Sequence, residues 1–296
     1  MKCFHPIHLQ NPGGDSPRDI ISVSCGKCLA CLQTSRFNWT FRLSQELLNS
    51  SSAYFITLTY DEKSNRHTLD KREIQLFIKK LRKASQASVF NELGLNHTTL
   101  SKKTKVSQIA PEGANLRYYL VGEYGTKTFR PHYHIILFNL CKSLVPEVEK
   151  IWSYGMVHIG KVTQASIHYV TKYLVTKPDS KIVWEIEKPF ALMSRRPGLG
   201  ASYLTKTTQY HKTITRNYLT LPGGITQKLP RYYADKIYNK SDKRVINDKS
   251  KIANMKREKI IDEYCKKNNL DPFVYEKNLK QQMIDKFEKS LKNNKV

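Results

Sequence analysis

The sequence predicts an α+β fold, a central antiparallel β-sheet with flanking helices, preceded by a Cys-rich N-terminal segment and followed by a helical C-terminal region. Three observations carry this expectation. Strand-like and helix-like segments follow one another in the order strand, helix, hairpin, helix, strand, helix through the middle of the chain. The segment "HYHIILF" is apolar on both faces, which marks it as the central strand of a covered sheet. From about residue 247 the chain is rich in Lys, Asn and Glu, with apolar residues at helical spacing.

Taken in order, residues 1–24 contain Pro and Gly and read as irregular. From Thr34, "TSRFNWTFRLSQELLN" repeats Arg36, Trp39, Leu43 and Leu47 at helical spacing. "SAYFITLTYD" (52–61) is rich in β-branched and aromatic residues and reads as a buried strand. "DKREIQLFIKKLRKA" opens with Asp70 as N-cap and Glu73 three residues on, the pattern of a capping box. Its apolar stripe is Ile74, Phe77, Ile78 and Leu81. Residues 86–114 are polar and read as a loop. "LRYYLVGEYG" (116–125) and "RPHYHIILFN" (130–139) read as an antiparallel hairpin. A short helix from Pro146, a strand around "MVHIGKV" and a helix over "ASIHYVTKYLVTK" (165–177) complete the core, with helices packed on one face of the sheet.

Charge bounds the partner. The chain has 296 residues, with 50 Lys+Arg against 25 Asp+Glu and a formal net charge of +25. That excess predicts a polyanionic partner, nucleic acid ahead of a membrane surface. No apolar run is long enough to span a bilayer, and "MKCFHPIHLQNPGG" lacks the apolar core of a signal peptide. A soluble, intracellular protein with no membrane partner is therefore expected. Affinity for nucleic acid should fall steeply with salt, because phosphate contacts release counterions.

Of six cysteines, three lie in "CGKCLAC". Such clustering suggests a metal rather than disulfides, and zinc takes four ligands in a structural site. Cys25, Cys28 and Cys31 are candidate ligands, with Cys3 as the fourth and His5 or His8 as substitutes; ordinary buried thiols are the alternative.

The chemistry concentrates elsewhere. His132 and His134, two apart on a strand, point to the same face, with Ile136 and Phe138 continuing that row and Tyr133, Ile135 and Leu137 opposite. Neutral imidazoles are good ligands for a divalent ion. Glu123 in "VGEYG" is the best placed third ligand; a carboxylate oxygen makes Mg2+ or Mn2+ plausible. The alternative pairs Glu123 with Arg130 across the hairpin. In "YVTKY", Tyr169 and Tyr173 share a helix face beside the stripe of Ile167, Val170 and Leu174, with Lys172 on its flank. Two such tyrosines are packing residues or nucleophiles. As nucleophiles next to a Lewis acid they would attack a single-stranded DNA phosphate in turn. The 17 Tyr, 11 Phe and 3 Trp interleaved with basic residues suit a groove that stacks exposed bases.

"PHYHIILF" resembles the His-hydrophobe-His motif of the HUH endonucleases, with Tyr133 as the middle residue, and "YVTKY" resembles the two-tyrosine motif of their rolling-circle initiators. "FITLTYDE" (55–62) is similar to the family's first motif, a strand bearing Thr near the DNA. "CGKCLACLQTSRFNWTFRLSQE", "GEYG", "SRRPGLG" and "LPRYY" extend the resemblance, from about residue 1 to 240, to replication initiators of the gokushovirus branch of the microviruses. The resemblance implies an HUH, RRM-like core. It implies Tyr169 and Tyr173 as nucleophiles, Lys172 as their activator, and His132, His134 and Glu123 as metal ligands. It further implies a 5′-phosphotyrosine intermediate, a 3′-hydroxyl primer, single-stranded DNA at the viral origin as substrate, host helicase and DNA polymerase as partners, and the cytoplasm of the bacterial host as location. On this reading residues 1–50 are the Cys-rich segment and first helix, 51–190 the endonuclease core, 191–245 a family-specific extension and 246–296 a basic helical tail. The competing readings are a non-catalytic single-stranded nucleic-acid-binding protein with a zinc knuckle, and a related relaxase or transposase.

Overall fold

In the computed structural model, the described residues are 3–10, 20–64, 66–92, 115–125, 128–172 and 186–293. The chain divides into two compact units, one of Ser35–Tyr203 and one of Met1–Thr34 with Leu204–Val296.

The first of these is built on a five-stranded antiparallel sheet. Its strands are β3 (Ala53–Thr59), β4 (Arg117–Tyr124), β5 (Pro131–Phe138), β6 (Val157–Lys161) and β7 (Phe190–Met193), in the order β6-β3-β5-β4-β7. The doubly apolar β5 is central, as its sequence predicts. Neighbouring strands supply its backbone partners on both sides, so both rows of side chains can be buried.

One row, Tyr133, Ile135 and Leu137, packs with Ile56, Leu58 and Leu120 against helix α2 (Lys71–Glu92) and the short α3 (Glu147–Ile151). The stripe of α2, Ile74, Phe77, Ile78 and Leu81, is fully engaged there. The other row, Ile136 and Phe138, packs with Tyr119 and Val121 against Leu43 of α1 (Leu29–Leu47) and Ile167 and Val170 of α4 (Gln164–Lys172). Helices therefore cover both faces. The expectation of one covered face fails because α1 and α4 carry apolar stripes of their own that need a second surface.

Asp70 does cap α2: its Oδ1 accepts from the N–H of Arg72 at 2.7 Å and of Glu73 at 3.0 Å. The reciprocal half of the capping box is not made. The Glu73 carboxylate instead accepts from the Tyr60 hydroxyl at 2.8 Å and pairs with Arg66, while the Asp70 N–H donates to the Tyr133 hydroxyl. A buried phenol competes better for that carboxylate than an N–H already satisfied elsewhere. Helix α2 also runs to Glu92, beyond the expected start of a loop; the rest of that loop, 93–114, lies outside the described residues. Gly155 meets β3 at close range: a Cβ there would lie 2.3 Å from the Thr59 carbonyl oxygen, so no larger residue fits.

The second unit contains a hairpin of β1 (Ile7–Gln10) and β2 (Ile20–Val23), most of α5 (Ser202–Thr213), a hairpin of β8 (Tyr218–Thr220) and β9 (Thr226–Lys228), α6 (Arg231–Ile237), and two long helices, α7 (Lys240–Lys267) and α8 (Pro272–Asn293). Helix α7 opens on a true capping box, in which Asn239 Oδ1 accepts from Asp242 N–H at 2.8 Å and Asp242 accepts back from Asn239 N–H at 3.1 Å. The helical reading of the C-terminal region stands. No described helix is long and apolar enough to cross a membrane.

Candidate active site

The register of the sheet builds the site. Glu123 of β4 stands opposite His132 of β5, and Thr57 of β3 stands opposite His134. Alternation then puts Glu123, His132, His134 and Thr57 on the face that carries Ile136 and Phe138. One carboxylate oxygen, Glu123 Oε1, lies 2.9 Å from His132 Nε2 and 3.0 Å from His134 Nε2. Arg130, the alternative partner of Glu123, pairs with Glu62 at 3.1 Å instead.

The outer nitrogens are also held. His132 Nδ1 lies 3.1 Å from the Arg130 carbonyl oxygen, and His134 Nδ1 lies 3.0 Å from Thr57 Oγ1. With Nδ1–H donating outward, each Nε2 lone pair faces the carboxylate, the arrangement found behind metal-bound imidazoles. Phe55 stacks flat on His134 at 5.6 Å between ring centroids, which fixes the ring further.

This donor set fits a divalent cation. The three ligand atoms lie within 4.8 Å of one another. Neighbouring donors of an octahedral ion with bonds of ~2.1 Å sit ~3.0 Å apart, which is the spacing around Glu123. Electrostatics agree. Burial penalises the Glu123 charge, but hydrogen bonds and charge from His132 and His134 hold its pKa below the usual carboxylate value. Burial pulls His134 down, with help from His132 and Lys172 and against Glu123, so it stays neutral and ready to coordinate. Burial also opposes protonation of His132, yet Glu123 and the Arg130 carbonyl outweigh it and raise its pKa.

Helix α4 brings a phenol to this cluster. Ile167 and Val170 bury its inner face against the sheet. Tyr169, exposed and one residue away, then hangs its hydroxyl 3.4 Å from His134 Nε2, with the two rings edge to face at 5.0 Å. Lys172 Nζ sits 3.8 Å from the centroid of the Tyr169 ring. Burial and the Arg36 charge lower the Lys172 pKa, against Glu123. Arg36 donates to the His168 carbonyl at 3.4 Å, so it flanks the same helix. Tyr173 and Leu174 lie outside the described residues, as does the continuation of the helix to 177.

Glu123, His132, His134, Tyr169 and Lys172 are thus gathered in one place. Sequence reasoning left out the parts played by Thr57 and Phe55, although both lie in the strand motif "FITLTYDE". It also passed over His158 of β6, exposed and directly across from Thr57. A single histidine in "MVHIGKV" carries no signal until the register is known.

Residues 53–178 match the model of the replication-associated protein ORF2 family. This segment belongs to that family. The matched stretch begins with β3 and contains all six residues singled out above for catalysis and metal binding. Among curated proteins, the chain is 28% identical to Replication-associated protein VP4 of Bdellovibrio phage phiMH2K over 93% of its own length and 89% of that protein's. It is 26% identical to Replication-associated protein ORF2 of Spiroplasma virus 4, over 72% of the chain and 66% of that protein. It is 21% identical to Replication-associated protein ORF4 of Chlamydia phage 1, over 72% of the chain and 53% of that protein. No solved structure matches the chain significantly. The replication-associated family resemblance read from the motifs is thus met by an independent family match and by phage homologues.

Proposed function

We propose that this chain is a phage replication initiator that nicks and rejoins single-stranded DNA at the viral origin through a tyrosine nucleophile. The observation that carries the reading is the Tyr169 hydroxyl, 3.4 Å from His134 Nε2 and so beside a cluster of donors spaced for a divalent cation. Glu123, His132 and His134 would hold Mg2+ or Mn2+, which polarises a phosphate and makes phosphorus more electrophilic.

The chain's own residues do the rest. Phe55 and Thr57 lock the His134 ring, so the ligand set is pre-organised. Helix α4 presents the phenol from the open side of the cluster. The Tyr169 oxygen attacks phosphorus and the bond to the 3′ oxygen breaks. The phenol gives up its proton to solvent and the departing 3′ oxygen takes one up. A 5′-phosphotyrosine and a free 3′-hydroxyl result, and a phosphodiester is exchanged for a phosphodiester, so bond energy is conserved. Lys172, against the face of the ring, favours the phenolate over the phenol. Tyr173 is the candidate for the second attack that releases the first adduct. A polymerase of the host extends the 3′-hydroxyl, and the setting is the host cytoplasm. The positive charge of the chain supports a DNA partner.

The test is to incubate the full chain with labelled single-stranded origin oligonucleotides and Mn2+, then run a denaturing gel. The reading predicts a protein–DNA adduct that needs the cation and disappears in His134→Ala. Binding without any adduct, across a panel of origin-derived strands, would leave a non-catalytic binder.

A further inference from the structure

We propose that Cys3, Cys25, Cys28 and Cys31 form a closed tetrathiolate zinc site that holds the β1–β2 hairpin to the first turn of α1. This goes beyond the replication chemistry and does not rest on it.

The spacing of the sulfurs is the main observation. Cys3 Sγ lies 3.7 Å from Cys28 Sγ, Cys25 Sγ lies 3.9 Å from Cys31 Sγ, and Cys28 Sγ lies 3.5 Å from Cys31 Sγ. All four lie within 4.8 Å of one another. A disulfide needs sulfurs at ~2.0 Å, so these are four separate thiols. A tetrahedral ion with Zn–S bonds of ~2.3 Å puts its sulfurs ~3.8 Å apart. The cluster has that spacing on three edges.

The surroundings suit thiolates. The N–H groups of Phe4, Cys25 and Cys28 donate to sulfurs of Cys28, Cys3 and Cys25, at 3.4, 3.3 and 3.3 Å. Gly26 adopts a left-handed φ of 74°, which lets the chain turn between Cys25 and Cys28 and bring both inward. His5 and His8, the substitutes suggested by sequence, are not among the clustered ligands; His8 Nδ1 bonds Ser22 Oγ at 2.9 Å instead.

The fold gives the ion a task. Strands of four residues, with Ile7, Leu9, Ile20 and Ile21 all exposed, have little core to hold them. A two-stranded hairpin alone is at best marginal in water. Cys3 precedes β1, Cys25 follows β2, and Cys28 and Cys31 lead into α1, so one ion closes the base of the hairpin. Four sulfur ligands leave no open position, which makes the role structural.

The test measures bound metal by mass spectrometry on the full chain, purified without added metal. One zinc per chain is expected, unchanged in His132→Ala and His5→Ala and lost in Cys28→Ser. Because Cys28→Ser can fail to fold, the intact chain is also loaded with Co2+, which should give the visible bands and thiolate charge-transfer absorption of a tetrahedral sulfur site. Zinc lost in His132→Ala, iron in place of zinc, a Co2+ spectrum of oxygen or nitrogen ligands, or four thiols that react freely in the metal-loaded folded chain would each overturn the proposal.

Discussion

Glu123, His132 and His134 stand on two adjacent central strands, whereas the four cysteines come from the ends of a short hairpin and the start of a helix. The first cluster is placed by a sheet that is ordered for other reasons. Its ligand orientation is fixed by Thr57, Phe55 and a backbone carbonyl, and three ligands leave coordination sites open. The second cluster has no such scaffold around it and fills its coordination sphere with sulfur. The difference teaches how to tell a site built for reaction from one built for stability. The reactive site is held by the fold and stays open; the structural site holds the fold and is closed.

This contrast can be broken at several points. The largest effect should come from Tyr169→Phe with Tyr173→Phe. Covalent adducts should fall by at least about 10³-fold, while affinity for single-stranded DNA changes less than about threefold, because only a nucleophile is removed. A filter-binding assay beside the denaturing gel separates the two quantities. Brief chelation should come next: dialysis against EDTA abolishes nicking, Mn2+ restores it, and the zinc content stays at one per chain throughout. Loss of both metals together would erase the distinction between open and closed sites.

Thr57→Val should be milder. It removes the partner of His134 Nδ1 without touching a proposed ligand, and outer partners of this kind are worth about 10–100-fold in metal affinity. Calorimetric titration with Mn2+ reads this directly, and an unchanged affinity would mean the ring is held by Phe55 alone.

The smallest effect is on pH. His132 has a raised pKa and His134 a lowered one. As pH falls, His132 is therefore protonated first, and its proton competes with the cation. Mn2+ affinity should be level above the raised pKa of His132 and decline, by at most about tenfold per pH unit, as pH drops through it. Glu123, whose pKa is lowered, contributes no further loss until well into the acid range. His132→Gln should flatten that decline relative to the starting affinity of the variant.

Much of this arrangement was legible in the sequence, for reasons that can be named. A period of two put His132 and His134 on one face, and double-sided apolarity made β5 central. Glu123 was reachable because a hairpin of that length has few registers that bury both strands. Tyr169 beside the buried stripe followed from Ile167 and Val170. What stayed hidden depends on contacts between elements that are distant in sequence. Thr57 and His134 are neighbours only through the pairing of β3 with β5. Glu73 fits a capping box locally, and only the fold brings Tyr60 to it. The second covered face needed the stripes of α1 and α4 to be seen on one surface. Tyr173 lies outside the described residues, so its part rests on its spacing from Tyr169.

The central claim is that a cation seated on Glu123, His132 and His134 lies next to the Tyr169 phenol. Pulsed electron paramagnetic resonance of the Mn2+-loaded chain tests it most directly. Couplings from two directly bound imidazole nitrogens are expected, one lost in His132→Ala and one in His134→Ala, with the Mn2+ signal perturbed by a DNA strand bound at the site. Tightly bound Mn2+ with no nitrogen coupling, or couplings that survive both substitutions, would contradict it.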